Sequence, residues 1–222
     1  YFTSPIGYIF LAVFYFFSGM FFTSVLAANT TDITYVFSSL FTVLIFIIPL
    51  LTMRSMSEDK KQKTDQLLLT SPINLSGLVM GKFLAAFFMY CIALAVTVVY
   101  SLILAAFAAP EWSVVIGNIF GALILGAALI AIGVFISSLT ENQLIAAVGS
   151  FAVMMFIMMI DGFASLIPVD FIANIILSLS FMSRYEDFVS GILNISNVLF
   201  FVSIAVVFIF LTVRVLERRR WN

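Results

Sequence analysis

Histidine is absent from this sequence, and cysteine occurs once, as Cys91. Without histidine there is no Ser-His or Cys-His nucleophile and no imidazole metal ligand. A single cysteine excludes an intramolecular disulfide. Charge is equally scarce: 9% of the 222 residues are Asp, Glu, Lys or Arg, while 64% are hydrophobic. Soluble domains carry about 25% charged and about 45–50% apolar residues, so a soluble globular fold is excluded. Disorder is excluded too, because it needs low hydrophobicity and high charge. The chain contains no Gly-x-x-x-x-Gly-Lys-Ser/Thr run, so it cannot cradle nucleotide phosphates by that route.

What the sequence does contain is long uncharged runs. A bilayer core needs about 20 apolar residues per helical span. Successive charges leave six runs of sufficient length: 1–31, 33–53, 83–110, 112–140, 142–160 and 188–213. Six membrane-crossing helices follow. The gaps 162–169 and 171–183 are too short to cross and read as interfacial or re-entrant.

Orientation follows from the bases, which collect on the cytoplasmic side. With both termini inside, Arg54, Lys60, Lys61, Lys63, Lys82, Arg214, Arg218, Arg219 and Arg220 all fall there, leaving Arg184 outside. No cleavable signal peptide is visible. Since the sequence opens at Tyr1, a short native N-terminal segment is expected ahead of it.

The first span runs from Pro5 to Ala28 and the second from Ile33 to about Met53, kinked near its end by Pro49. The third leaves the cytoplasm near Lys82. The fourth returns from the interfacial Trp112 to Ser137-Ser138. Thr140 and Gln143 have the spacing of a capping pair at the start of the fifth, which ends near Asp161-Gly162. Residues 162–196 are then extracellular, with a short amphipathic helix after Pro168 and Asp170 that groups Phe171, Ile172, Ile175, Ile176 and Leu179. No internal repeat stands out, and residues 1–222 read as one domain.

The cytoplasmic loop 54–82 is the most informative segment. Ser57 has the position of an N-cap, with Glu58 and Asp59 in the first turn and Lys60, Lys61 and Lys63 behind them, as the helix dipole favours. Leu67, Leu68 and Leu69 form an apolar knob, Ser71-Pro72 restarts a turn, and Ser76 could cap the third span. Such a helix either rests on anionic lipid heads through its lysines or docks a soluble partner through its leucines.

The run from Arg54 through Glu58-Asp59 to Leu67-Leu68-Leu69-Thr70-Ser71-Pro72, followed by Gly81-Lys82, resembles the first cytoplasmic loop of ABC-2 type transporter permeases, particularly the gliding-motility-associated branch. Tyr1 to Tyr8, Ser137 to Gln143 and Leu216 to Asn222 resemble other parts of the same family, so the likeness spans the chain. Many members carry Gly where Lys63 stands and Glu where Gln66 stands.

The resemblance implies an all-α permease of the type V exporter kind, with a cytoplasmic coupling helix held in a groove of a separate ATPase. Arg54, Glu58, Asp59, Lys61, Thr64, Leu67, Leu68, Leu69, Pro72, Lys82 and Glu141 are then the ATPase-coupling residues. The implied partners are two ATPase copies carrying ATP and Mg, a second permease chain, and lipid. No nucleic acid and no cofactor on this chain are expected. The implied setting is a bacterial cell membrane, and the implied direction is export.

No charge lies within the six runs; only Asp161, at the outer end of the fifth, could sit at depth. Phe10, Phe14, Phe17 and Phe21 recur at helical spacing in the first span, and Met154, Met155, Met158 and Met159 in the fifth. Such stripes read either as packing and lipid-facing surface or, given the adaptability of Met and the family's use of these two helices, as a pliable pathway. In that second reading Phe14, Phe17, Met155, Met158, Met159 and Asp161 line or gate it for a hydrophobic or amphipathic cargo. Gly117, Gly121, Gly126 and Gly133 give the fourth span a small-residue face for close helix approach. Against the permease stand a secondary carrier or channel, which calls for charges and broken helices in mid-membrane, and an intramembrane protease. Gly149-Ser150 invites the latter, but the absent histidine forbids it.

Overall fold

The computed structural model describes residues 5–30, 32–62, 74–107, 111–165 and 170–221. Among these every regular element is an α-helix: α1 (Pro5–Ala27), α2 (Thr34–Lys61), α3 (Leu75–Phe107), α4 (Trp112–Leu139), α5 (Gln143–Ser165), α6 (Asp170–Ser178), α7 (Phe181–Val189) and α8 (Ile195–Trp221). In hydrocarbon each backbone donor and acceptor must be satisfied within its own segment, and the helix does this. Six helices, α1 to α5 and α8, are long and apolar enough to cross a bilayer, matching the six uncharged runs.

α4 is the axis of the bundle. It packs against α2, α3, α5, α7 and α8, and its contacts with α8 and α2 are the two most extensive in the chain. Its glycines explain how so many neighbours fit. A Cβ at Gly121 would overlap Phe188 of α7, one at Gly126 the ring of Tyr90 in α3, and one at Gly133 the side chain of Thr52 in α2. At Gly117 the backbone of Gly191 would lie 3.2 Å away. Gly191 itself has φ +79, a left-handed conformation that glycine adopts without strain, and it turns the chain out of α7. Each glycine therefore seats a particular neighbour.

The burial of the spans sorts them into two sets. Within their apolar windows α2 and α4 are 67% and 61% buried, while α1, α5 and α8 are 28%, 22% and 17% buried. The last three keep the fewest of their residues inside the bundle.

Helix boundaries depart from the sequence expectations in four places. α2 does not stop at Met53 but continues past Pro49 to Lys61. Ser57 is therefore no N-cap: its hydroxyl sits inside α2 and donates back to the carbonyl of Met53. α3 begins at Leu75, where Asn74 Oδ1 rather than Ser76 is the capping acceptor, taking the Ser76 N–H at 3.2 Å. At α5 the cap is Asn142, whose Oδ1 accepts from Leu144 N at 2.9 Å, and Thr140 instead accepts from Asn142 N at 3.2 Å. The fourth difference lies between the last two spans, where one short helix is replaced by two.

There Ser180 Oγ accepts from Ser183 N at 3.0 Å and starts α7 afresh after α6. α7 buries Phe181, Tyr185, Phe188 and Val189 against the bundle, whereas α6 packs on α5 and leaves Phe171 and Ile175 exposed. Arg184 joins the two short helices to α8. Its Nε and Nη2 donate to the Ser178 carbonyl at 3.0 and 2.8 Å, its Nη1 donates to Asn197 Oδ1 at 2.9 Å, and its guanidinium lies 4.3 Å from the ring centre of Phe200. Asn197 completes the knot by donating to Asp187 Oδ2 at 2.6 Å.

Candidate functional site

At the end of the bundle that gathers the bases, α2 overhangs its apolar stretch by two turns, and its side chains there divide by face. On the outer face Arg54 Nε donates to Glu58 Oε2 at 2.7 Å, and its Nη2 pairs with the other carboxylate oxygen. Gln62 Nε2 reaches the same carboxylate at 3.3 Å. Asp59 pairs with Lys82 of α3, whose ammonium also donates to the Ser55 carbonyl. These charged side chains are 23 to 29% exposed. Ion pairs near water contribute about 0–1 kcal/mol, so Lys82 positions α3 against α2 without holding it rigidly.

The inner face of the overhang continues the buried stripe Thr52, Met56, Lys60. Lys60 is 4% exposed and donates its ammonium to the carbonyl of Ser138, in the last turn of α4. The C-terminus of a helix carries partial negative charge and unpaired carbonyls, so a cation there meets both a dipole and an acceptor. Ser137, fully buried beside it, accepts from Met56 N and Ser57 N at 3.1 Å each and donates to Met53 O at 3.0 Å. One hydroxyl thus joins three main-chain groups of a neighbouring helix. One turn further in, Thr52 against Gly133 brings the two helices into close contact.

Of the expected coupling residues, Arg54, Glu58, Asp59 and Lys82 meet at this junction. Lys61 is exposed. Glu141 is exposed in the short link between α4 and α5, beside the Ser137-Ser138 turn. Thr64, Leu67, Leu68, Leu69 and Pro72 lie outside the described residues. Sequence reading overlooked Lys60 and gave Ser137 no role. The signal was the helical period: Lys60 stands four residues after Met56 and eight after Thr52, on a face that is apolar or small throughout the span.

The expected pathway residues do not converge. Phe14 is wholly buried, its ring 6.4 Å from that of Phe10, so it is a core residue of this chain rather than the lining of an open passage. Phe17 is half-buried beside Phe21 at 6.5 Å. Met154 is buried and Met155 half-buried, while Met158 and Met159 face outward on α5. Asp161 is half-buried in the last turns of α5, and its Oδ2 has no hydrogen-bond partner among the described residues. A cavity of about 340 Å³ opens at the end opposite the bases, between Asp32 and Thr34 of the α1–α2 turn, Glu111 and Val115 at the head of α4, and Ser190 behind α7. None of the expected pathway residues lines it.

A family model described as ABC-2 family transporter protein matches residues 46–221, from the middle of α2 to the end of α8. No curated protein matches the chain.

Proposed function

The chain belongs to the ABC-2 transporter family, and from that premise we propose that its basic end docks a separate ATPase whose closure drives the membrane helices. It is a multi-pass membrane protein and a permease subunit of an ABC transporter. In our reading the basic end and both termini are cytoplasmic in a bacterial cell membrane. Two ATPase copies hold the ATP and Mg and do the hydrolysis. A second permease chain, identical or related, completes the pathway. The apolar spans suit a hydrophobic or amphipathic cargo, moved outward.

One observation carries the coupling part of this reading. The ends of α2 and α3 are tied by Asp59 and Lys82, and they flank the very segment, 63–73, that holds the Leu67-Leu68-Leu69 knob and Pro72. A partner gripping that segment pulls on both helices at once. Thr64 and the three leucines supply the docking contacts, and Arg54, Glu58, Lys61 and Glu141 surround them with charge.

The test is gentle detergent purification of the tagged chain from its native membrane. A soluble nucleotide-binding subunit should come with it and hydrolyse ATP. It should be lost when Leu67, Leu68 and Leu69 are all changed to Asp, with the permease still monodisperse. Recovery of the chain alone overturns the reading and favours a stand-alone carrier. Asp161, with its unpartnered oxygen, is then the first residue to examine.

A further inference from the structure

We infer that Lys60 and Ser137 are positioning residues that make the overhang of α2 and the end of α4 move as one body, so that displacement of the 63–73 segment reaches the α4–α5 link and, through it, α5. The inference rests on the proposed docking of an ATPase at this end. Two kinds of joint meet the overhang. The joint to α3, Asp59–Lys82, is partly exposed and can be exchanged for water at small cost. The joints to α4 cannot: Lys60 and Ser137 are buried, so their ammonium and hydroxyl find no water if the contacts to the facing main chain break. A buried polar group left without its partner costs far more than the same group lost at a surface.

Movement at the base of α2 therefore strains the Asp59–Lys82 pair first and carries α4 with it. Behind Ser138 the chain has only residues 140–142 before α5 begins. That link is too short to absorb a shift of α4, so the shift passes to α5, the helix that bears the outward-facing Met158 and Met159. Thr52 packed into Gly133 extends the same rigid contact inward by one turn.

The complex of permease and co-purified ATPase, reconstituted in liposomes, tests this with Met159→Cys in a Cys91→Ala background as reporter. In the otherwise wild-type complex, ATP with vanadate should change the rate of thiol labelling at position 159 by about fivefold or more. Lys60→Met should abolish that change while the ATPase stays bound and hydrolyses ATP. Lys60→Arg, which restores a cation, should recover it. Ser137→Ala, which removes the hydroxyl and leaves the charge, should diminish it, and this variant decides the matter if Lys60→Met does not yield monodisperse protein. A normal labelling response in Lys60→Met, or in Ser137→Ala where that variant decides, overturns the inference. So does loss of the ATPase together with the response, which would make Lys60 a docking contact. Absence of an ATPase from the wild-type preparation instead overturns the proposed function.

Discussion

Tyr185 in α7 donates its phenolic hydrogen to the main-chain carbonyl of Phe37 in α2 at 3.1 Å, across 148 residues of sequence. The tyrosine is wholly buried, and its ring stacks 5.7 Å from that of Phe41. Tyr185→Phe keeps the ring and removes one hydrogen bond, so it should cost about 1 kcal/mol. Tyr185→Ala also empties the ring's place and should cost about 3–5 kcal/mol. Unfolding in mixed micelles reads both, and equal losses would mean that the ring contributes nothing beyond its hydroxyl.

Gly126→Ala should destabilise the bundle by about 1–3 kcal/mol. The added methyl would overlap the ring of Tyr90, and that ring cannot swing aside without breaking its hydroxyl's 2.7 Å bond to the Ala122 carbonyl. Gly77→Ala is the control. Among the described residues nothing lies within 4 Å of a Cβ there, in the first turn of α3, so alanine's better helix propensity should leave stability unchanged or raise it by up to about 1 kcal/mol. Thermal loss of monodispersity ranks the two, and a Gly77 variant as unstable as the Gly126 variant would refute the seating of Tyr90.

Arg184→Ala should cost about 1–3 kcal/mol by orphaning the Ser178 carbonyl and Asn197 Oδ1 together. Lysine at this position should recover only part of the loss, because one ammonium cannot reproduce the planar fork that reaches both acceptors and lies over Phe200. Limited proteolysis between α6 and α7 should accelerate in the same order, alanine before lysine before wild type. Equal cleavage of all three would show that the knot does not hold α6 in place.

Single cysteines at positions 61 and 192, each in a Cys91→Ala background, report which end of the bundle faces the cytoplasm. Both sites are exposed. A membrane-impermeant maleimide applied to intact cells should label position 192 and reach position 61 only after lysis, as the clustering of bases at the other end requires. Labelling of position 61 in intact cells would reverse the orientation.

The six spans were legible because hydrocarbon excludes charge, and the gaps between charges therefore measure the membrane. The same logic misplaced the end of α2. Arg54 to Lys61 looks like a loop to a rule that equates charge with water, yet no glycine or proline stands between Pro49 and Lys61, and the ladder runs on to Lys61. Lys60 escaped notice for a related reason: its burial depends on Ser138, a residue 78 positions away whose carbonyl is free only because α4 ends there. Caps were confused where two candidates stood together, Ser76 with Asn74 and Thr140 with Asn142. In both the asparagine, whose carbonyl can reach the first free N–H groups, prevailed. Of the candidate site, the charged residues were legible from charge order, though their ion pairs were not. The buried face was readable only by carrying the period of the span beyond the membrane.

The placement of α4 constrains how the protein is made. Its largest partner besides α2 is α8, which is synthesised after all the other described helices. While the ribosome is still working on residues after α7, the side of α4 that will receive α8 has only lipid against it. A chain halted before Ile195 therefore cannot close around its own centre, however complete its first five spans, and it offers membrane proteases an unfinished bundle to recognise. For this fold, surveillance at the C-terminal end tests the soundness of the middle.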